Sequence, residues 1–572
     1  MLLATIPACS SSAPEIPPTP SAASDPALFE DITAASGIAF TFRNGEEANH
    51  RTMLETVGGG AALLDFDNDG WLDVYIPGGG HFTGADGKEI AGWPGKLYRN
   101  RGDGTFEDRT QAAGLDALAN GQPWFYNQGA AAADYDRDGW TDLLVTGWGR
   151  IALFHNEPVD ANDPSRGRRF RDVSHAAGLD KGITWATSAA FGDLDGDGFP
   201  DLYVCQYLNW SFANHPACDY GKIRQICMPK LFAGLPHKLY RNDGKGSFVD
   251  VGREAGLVGA GADSWRGLGV LFVDLNGDGK PEIYVANDLS PKLLYWNRST
   301  PGSIRLQEVG ESSGAARDGQ GNVNGSMGVD AGDFNGSGRP ALWVTNYEHE
   351  QHALYRNDTK PGGKPFFQYQ TDRAGIAQSS QKSVGWGTAF IDVDRDGWED
   401  LFLVNGHVMY SPLGERMTRK QVPVLYRNEG GRFTDWSERI GGYRGQPRLA
   451  RGVAFGDLDN DGRTDMVISH INEPVAVLRG VGGPGTHWLG VSLVGAGHAD
   501  AVGAKVELQV GNRTLTRFAK GGGSYLSSND RRLLFGLGEA TIADRLTITW
   551  PNGSKQVMEN PAIDRYHDVL AP

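Results

Sequence analysis

Nowhere does the 572-residue chain hold a run of about 20 apolar residues, so no helix is expected to span a membrane. It has no basic run interleaved with aromatics, which argues against nucleic acid as a partner. Cysteine is scarce, at four residues, and no pair has the spacing of a zinc site. No nucleophile–base or carboxylate pair stands out either, and isolated candidates such as Glu55, His407 and Arg451 carry no mechanism by themselves. Met1–Ala8 is apolar but short and has no basic start, so it is not a standard complete signal peptide.

Glycine and proline, by contrast, are plentiful. The 80 Gly and 29 Pro, with 22% charged residues, suit a turn-rich all-β protein. The formal net charge of -16 is concentrated in one recurring pattern. Asp65-Phe66-Asp67-Asn68-Asp69-Gly70-Trp71-Leu72-Asp73 places oxygen ligands at positions one, three, five and nine, plus a carbonyl at seven. That set suits a hard cation with six or seven ligands, Ca²⁺ above all. Position 12, where an EF-hand has a bidentate Glu, is Ile76. Short apolar runs flank the loop, so it joins two strands rather than two helices.

The pattern repeats at intervals of 59 to 81 residues. The expected ligands are Asp65, Asp67, Asp69, the Trp71 carbonyl and Asp73; Asp134, Asp136, Asp138, Trp140 and Asp142; Asp193, Asp195, Asp197, Phe199 and Asp201; Asp274, Asn276, Asp278, Lys280 and Glu282; Asp392, Asp394, Asp396, Trp398 and Asp400; Asp457, Asp459, Asp461, Arg463 and Asp465. About six Ca²⁺ are expected. A degenerate copy, Asp333–Ala341, is expected to stay empty or nearly so, and loss of Asp333 to cost little stability. Outside the loops, basic residues slightly outnumber acidic ones, so the acidity is a metal-site signature rather than a general field.

Two further strands recur between loops: Leu-Tyr-Arg-Asn, as at Leu97–Asn100, and Phe-x-Asp, as at Phe106–Asp108. Four strands per repeat of about 60 residues make a propeller blade. Phe29-Glu30-Asp31 precedes the first loop, while the last loop lacks a Phe-x-Asp strand. Pairing the two ends completes a seventh blade and removes open edges. The expected fold is an all-β, seven-bladed β-propeller closed by the N-terminal strand over residues 29–484, followed by a small β-rich domain over 485–572.

Long insertions at Gln206–Pro236, His407–Val422 and Gly78–Pro94 all follow the second strand and so leave from the face opposite the acidic loops. Cys218 and Cys227 lie in the first of these and are expected to form a disulfide, whereas Cys205 reads as a small buried hydrophobe. Trp124, Trp185, Trp265 and Trp386 precede inner strands, where they either pave the mouth of the central channel or, as is expected here, pack blade against blade. Arg101-Gly102-Asp103 and His349-Glu350-Gln351-His352 read as an ordinary turn and a surface loop. In residues 1–28, Ile6-Pro7-Ala8-Cys9-Ser10 resembles a bacterial lipobox, with Cys9 as the lipidated residue and Ser10–Asp25 as a flexible tether.

The loops and blades resemble FG-GAP (VCBS) repeats, as in integrin α subunits. The C-terminal segment resembles the ASPIC/UnbV domain through Asp500–Val506, Gly521-Gly522-Gly523-Ser524-Tyr525-Leu526-Ser527, Phe535–Gly538 and Trp550–Gly553. The combination is similar to the cartilage acidic protein family and its bacterial secreted relatives. That resemblance implies an extracellular Ca²⁺-binding protein; the expected role is an exported, monomeric binding or scaffold module at the cell surface whose partner is an extracellular protein or glycan. The alternative is an enzyme with its site in the central channel.

Overall fold

The computed structural model describes residues 26–257, 265–410, 418–483 and 485–572; the expected lipidation site Cys9 and its tether lie outside them. The described residues are all-β in character, with only short helical turns. Seven antiparallel four-strand arrays account for most of the chain. The first is Ala62–Leu64, Asp73–Ile76, Lys96–Asn100 and Phe106–Asp108; the others repeat that order. In the seventh, Ala450–Gly456, Asp465–His470 and Ala476–Gly480 are completed by Phe29–Asp31, with Phe29 opposite Gly480 and Asp31 opposite Leu478.

Each first strand, such as Asn127–Ala133 or Ala186–Gly192, is buried along its whole length. Small side chains dominate there, which lets neighbouring sheets approach closely. First strands pack each on the next, and Ala62–Leu64 packs both on Asn127–Ala133 and on Ala450–Gly456. The chain of contacts thus returns to its start. Larger apolar side chains fill the spaces between adjacent sheets, as where Leu143, Val145 and Phe154 meet Leu64, Tyr75 and Leu97.

The repeated Leu-Tyr-Arg-Asn strand has a second task. Asn100, Asn156, Asn242, Asn297, Asn357 and Asn428 each donate from Nδ2 to the position-eight carbonyl of their own acidic loop, and also to the position-two carbonyl of the preceding loop. Asn100 reaches Leu458 at 2.8 Å and so ties the first sheet to the seventh. These Asn are at most 2% exposed, and a buried amide left without partners would cost about 1–3 kcal/mol. The seventh sheet has Gly480 where the others have Asn. The link between the sixth and seventh sheets therefore lacks this staple.

The insertions leave from the opposite end and pack on one another. His50 sits against Phe82 and Phe212, with ring centroids 5.0 and 4.9 Å away, and Tyr410 donates to Glu55 at 2.8 Å. Cys218 and Cys227 are joined, their Cα atoms 5.3 Å apart; Cys205 is free and buried. Trp124, Trp185, Trp265 and Trp386 are all buried between elements.

Candidate metal centres

Each acidic loop is a turn held by its own carboxylates. The position-one Asp accepts two backbone N–H groups: Asp65 from Asp69 and Gly70, Asp134 from Asp138 and Gly139, Asp392 from Asp396 and Gly397. The position-five carboxylate accepts the N–H of position seven in all six expected sites: Trp71, Trp140, Phe199, Lys280, Trp398 and Arg463, at 2.8–3.0 Å. The position-nine carboxylate opens the second strand and is buried. Asp73, Asp142, Asp201, Asp400 and Asp465 each take the position-two N–H on one oxygen and an N–H of the third strand on the other. Glu282 likewise accepts from Leu275.

Position three behaves differently. Asp67 Oδ1, Asp136 Oδ1, Asp195 Oδ2, Asp394 Oδ1 and Asp459 Oδ1 are buried with no hydrogen-bond partner. Buried polar atoms are nearly always paired, and here the same atom is orphaned in five loops. Donor oxygens of Asp65, Asp67 and Asp73 lie within 4.8 Å of one another, as do those of Asp134, Asp136 and Asp138, of Asp193, Asp195 and Asp197, and of Asp392, Asp394 and Asp400. An all-oxygen donor set with one inward-facing free carboxylate oxygen fits Ca²⁺.

The fourth loop departs from this. Asn276 replaces the third-position Asp, and its Nδ2 donates to Asp278 at 3.3 Å, so this loop partly satisfies itself. In the degenerate fifth loop, Asp333 accepts from Ser337 and Gly338 and is buried. Its bonding matches that of Asp392, so it holds the turn whether or not a metal is bound. The expectation that Asp333 is dispensable does not survive this geometry.

Burial, reinforced by neighbouring carboxylates, pushes Asp193, Asp392 and Asp457 up to about 7 and Asp134 up to about 6. Burial, with neighbouring carboxylates, also raises Asp73, Asp201 and Asp465 well above the ordinary carboxylate value. Clustered buried carboxylates hold their charge only against a cation. Some loops have a partial substitute: Arg99 pairs with Asp67 and Asp69, and Arg427 with Asp394 and Asp396 at 2.9 Å.

Residues 65–145, 134–204, 236–285, 274–344 and 392–468 match the FG-GAP-like repeat, covering more than half of the chain. The chain belongs to the FG-GAP-like repeat family. Residues 495–572 match the ASPIC and UnbV domain. Among curated relatives, cartilage acidic protein 1 of Homo sapiens is 24% identical over 527 residues, covering 89% of this chain and 62% of the relative. The Mus musculus protein of the same name is 25% identical, covering 89% and 64%. This chain therefore spans less than two thirds of those relatives' length. A lectin from Agrocybe aegerita that recognises non-reducing terminal N-acetylglucosamine aligns over 73% of this chain and 87% of its own, at 14% identity and a TM-score of 0.38; at that score the likeness carries no inference.

The ASPIC and UnbV region sits on the acidic-loop end of the repeats. Its strands form one sheet of Leu533–Gly538, His487–Val494 and Tyr566–Leu570, and a second from Arg513–Phe518, Lys505–Val510, Arg545–Thr549 and Lys555–Glu559. Between them, residues 521–530 leave the domain and run among the first strands of the FG-GAP-like repeats. Gly521–Gly522 pairs with Leu271 and Phe272. Ser528 exchanges backbone bonds with Ala61 and Leu63, Leu526 O accepts from Ala130, and Asp530 N donates to Phe455. Ser524 Oγ donates to Val453 O, Leu526 N donates to Ser188 Oγ, and Tyr525 lies against Trp386. Gly60 must be Gly here, since a Cβ would fall 1.9 Å from Leu526 O.

Glu55, His407 and Arg451 also come together near Tyr525, at the insertion end. Arg451 lies over Trp386 and donates to Thr56 O and Gly406 O. His407 Nε2 lies 2.9 Å from Glu348, and Glu55 accepts from Thr52 and Tyr410. All three are at most 1% exposed and act as internal struts. His352, expected on the surface, is likewise buried: Asn346 N–H donates to its Nδ1. Neither the Asn staples nor the role of 521–530 was foreseen. The recurring Asn and the Gly521-Gly522-Gly523 run were the available signals.

Proposed function

We propose that the seven sheets are the blades of a closed β-propeller whose acidic loops hold about six Ca²⁺, and that the molecule is an extracellular binding or scaffold module recognising a protein or glycan. In this reading residues 29–484 form the propeller and 485–572 the C-terminal domain, behind an export segment with a lipid anchor at Cys9. The orphaned third-position oxygen, recurring in five loops, carries the metal assignment. Bound Ca²⁺ would supply charge neutralisation that fixes the loop geometry; the chain's own residues provide the surfaces.

The ligand surface is the insertion end, because the acidic-loop end lies under the C-terminal domain. There the disulfide-stapled insertion presents Tyr220, Ile223, Met228 and Leu231, each 40–57% exposed, beside Lys222 and Arg224. Exposed apolar groups clustered on one insertion mark an interaction site. Binding rather than catalysis is favoured because residues 521–530 run among the inner strands, and Glu55, His407 and Arg451 are engaged internally.

Elemental analysis after dialysis against millimolar Ca²⁺ should find about six ions per chain; two or fewer would overturn the metal assignment. A glycan array and a pull-down, each with and without Ca²⁺, should return a partner whose capture is lost when Tyr220 and Ile223 are changed to Ser. Capture undiminished by that double change would move the binding surface elsewhere.

A further inference from the structure

Beyond residues 521–530, the C-terminal domain bonds to the acidic loops themselves, through groups whose positions the loop turns define. In the second loop, Arg137 donates to Ala496 O and Gly497 O at 2.9 and 3.0 Å. In the third, Asp500 N donates to Gly198 O and its carboxylate accepts from Asp193 N. In the sixth, Gly538 N donates to Arg395 O at 2.7 Å, and Arg513 donates to Asp396 O at 2.9 Å. In the seventh, Arg532 donates to Asp457 O and to Asn460 Oδ1, both at 2.7 Å, while the Tyr566 hydroxyl donates to Asp457 Oδ2 at 2.7 Å. Asp193 and Asp457 are position-one residues of metal loops, so the domain grips the loops at the ligands themselves.

The first loop is different. Asp65, together with Asp134 of the second, lines a cavity of about 540 Å³ between the repeats and the C-terminal domain. No hydrogen bond joins the first loop to that domain among the described residues. The domain thus meets backbone or ligand groups in the third, sixth and seventh loops and a side chain, Arg137, in the second, and the segment it carries, 521–530, touches first strands all round the repeats.

We propose that the C-terminal domain is a cation-dependent plug: ions in the third, sixth and seventh loops fix the surface that holds it, and their loss withdraws residues 521–530 from among the inner strands. This rests on the metal reading above. An empty loop places several carboxylates within a few ångströms, and their repulsion opens the turn. The carbonyls of Gly198, Arg395, Asp396 and Asp457 then leave the positions that the domain's donors require. Because the coupling is thermodynamic, it is reciprocal: the docked domain also tightens the ions beneath it. Asp500, Arg532 and Tyr566 are thus positioning residues for metal sites that lie 307, 75 and 109 positions earlier in the chain.

Hydrogen exchange on the full chain, with metal content measured on the same samples, tests this. In millimolar Ca²⁺ the amides of Gly523, Leu526, Ser528 and Asp530, all donors to the inner strands, should be protected. After chelation they should exchange at least tenfold faster, while Val506 and Leu508 in the domain's own sheet keep their protection. Bound metal that leaves on chelation without any change at those four amides overturns the proposal and leaves the metal reading intact. An absence of bound metal overturns both. As the reciprocal arm, Arg532→Met in Ca²⁺ should weaken at least one ion several-fold without lowering the affinity of the first loop; unchanged binding of every ion overturns the coupling.

Discussion

Asp333 and Asp392 occupy the same place in consecutive loops and make the same pair of backbone bonds. Asp392 shares a cluster with Asp394 and Asp400, whereas the loop of Asp333 holds no second carboxylate. Asp333→Ala should therefore lose about 1–3 kcal/mol from unsatisfied buried N–H groups and no metal. Asp392→Ala should lose a similar amount and about one Ca²⁺ as well. Calorimetry paired with elemental analysis separates the two, and equal metal loss would show that the fifth loop is a site after all. The sequence made the acidic pattern legible because spacing alone dictates which carboxylates share a turn. It did not reveal that positions one and nine also hold the backbone, since a carboxylate reads the same whether it faces an ion or an N–H.

At the scale of single elements, the third strands of the third and fifth sheets start beside buried histidines. Burial drives His237 and His352 down to about 3. A backbone N–H points at an unprotonated ring nitrogen of each, from Gly267 and Asn346. The unfolded chain binds protons at these rings near its ordinary value of about 6.5, whereas the folded chain does not until far lower pH. Their contribution is complete above about pH 6.5 and is lost as pH falls towards 3, at about 1.4 kcal/mol per pH unit for each ring. In saturating Ca²⁺, His352→Gln should flatten the fall of stability between pH 6 and 4.5 relative to wild type. A parallel pair of curves would mean that the ring is protonated in the fold.

The N-terminal strand is another element with a measurable role. Without Phe29–Asp31, the strand Ala476–Gly480 presents unpaired backbone groups along an edge, which invites pairing with other chains. A chain beginning at Ile38 should melt at lower temperature and associate as its concentration rises, as sedimentation velocity would record; a monomer of unchanged stability would contradict the pairing. That strand was legible because Phe-x-Asp recurs and one copy stands ahead of any loop. The missing Asn at Gly480 was equally visible, yet nothing in a linear string says that the Asn reaches across to another sheet.

For the whole molecule, the acidic loops fall into two environments. The first loop borders an open cavity, while the sixth and seventh lie under the C-terminal domain. Displacement of Ca²⁺ by a fast chelator, followed in a stopped-flow instrument, should resolve a quick phase and a markedly slower one. A single phase would mean that the covering domain does not govern release. Chelation should also lower the melting temperature by mass action. The sequence marked residues from His487 onward as a different kind of β structure, and that is where the new strands begin. It could not show that ten of those residues return to the middle of the repeats, because small polar side chains and glycines read as a loop in any setting.

Those ten residues set a timetable for synthesis. Phe29 finds its partner only once Gly480 exists, and Ala61 and Leu63 bond to Ser528, more than 460 positions later. A ribosome thus delivers nearly the entire polypeptide before its earliest strands can finish their bonding. Contacts of such sequence separation make folding slow, so the nascent chain spends its longest interval with bare sheet edges at its beginning rather than its end. Refolding from denaturant should accordingly show protection of Ala61 and Leu63 among the last to appear, in pulse-labelled exchange, behind the local hairpins of every repeat. Early protection of those two amides would refute the timetable.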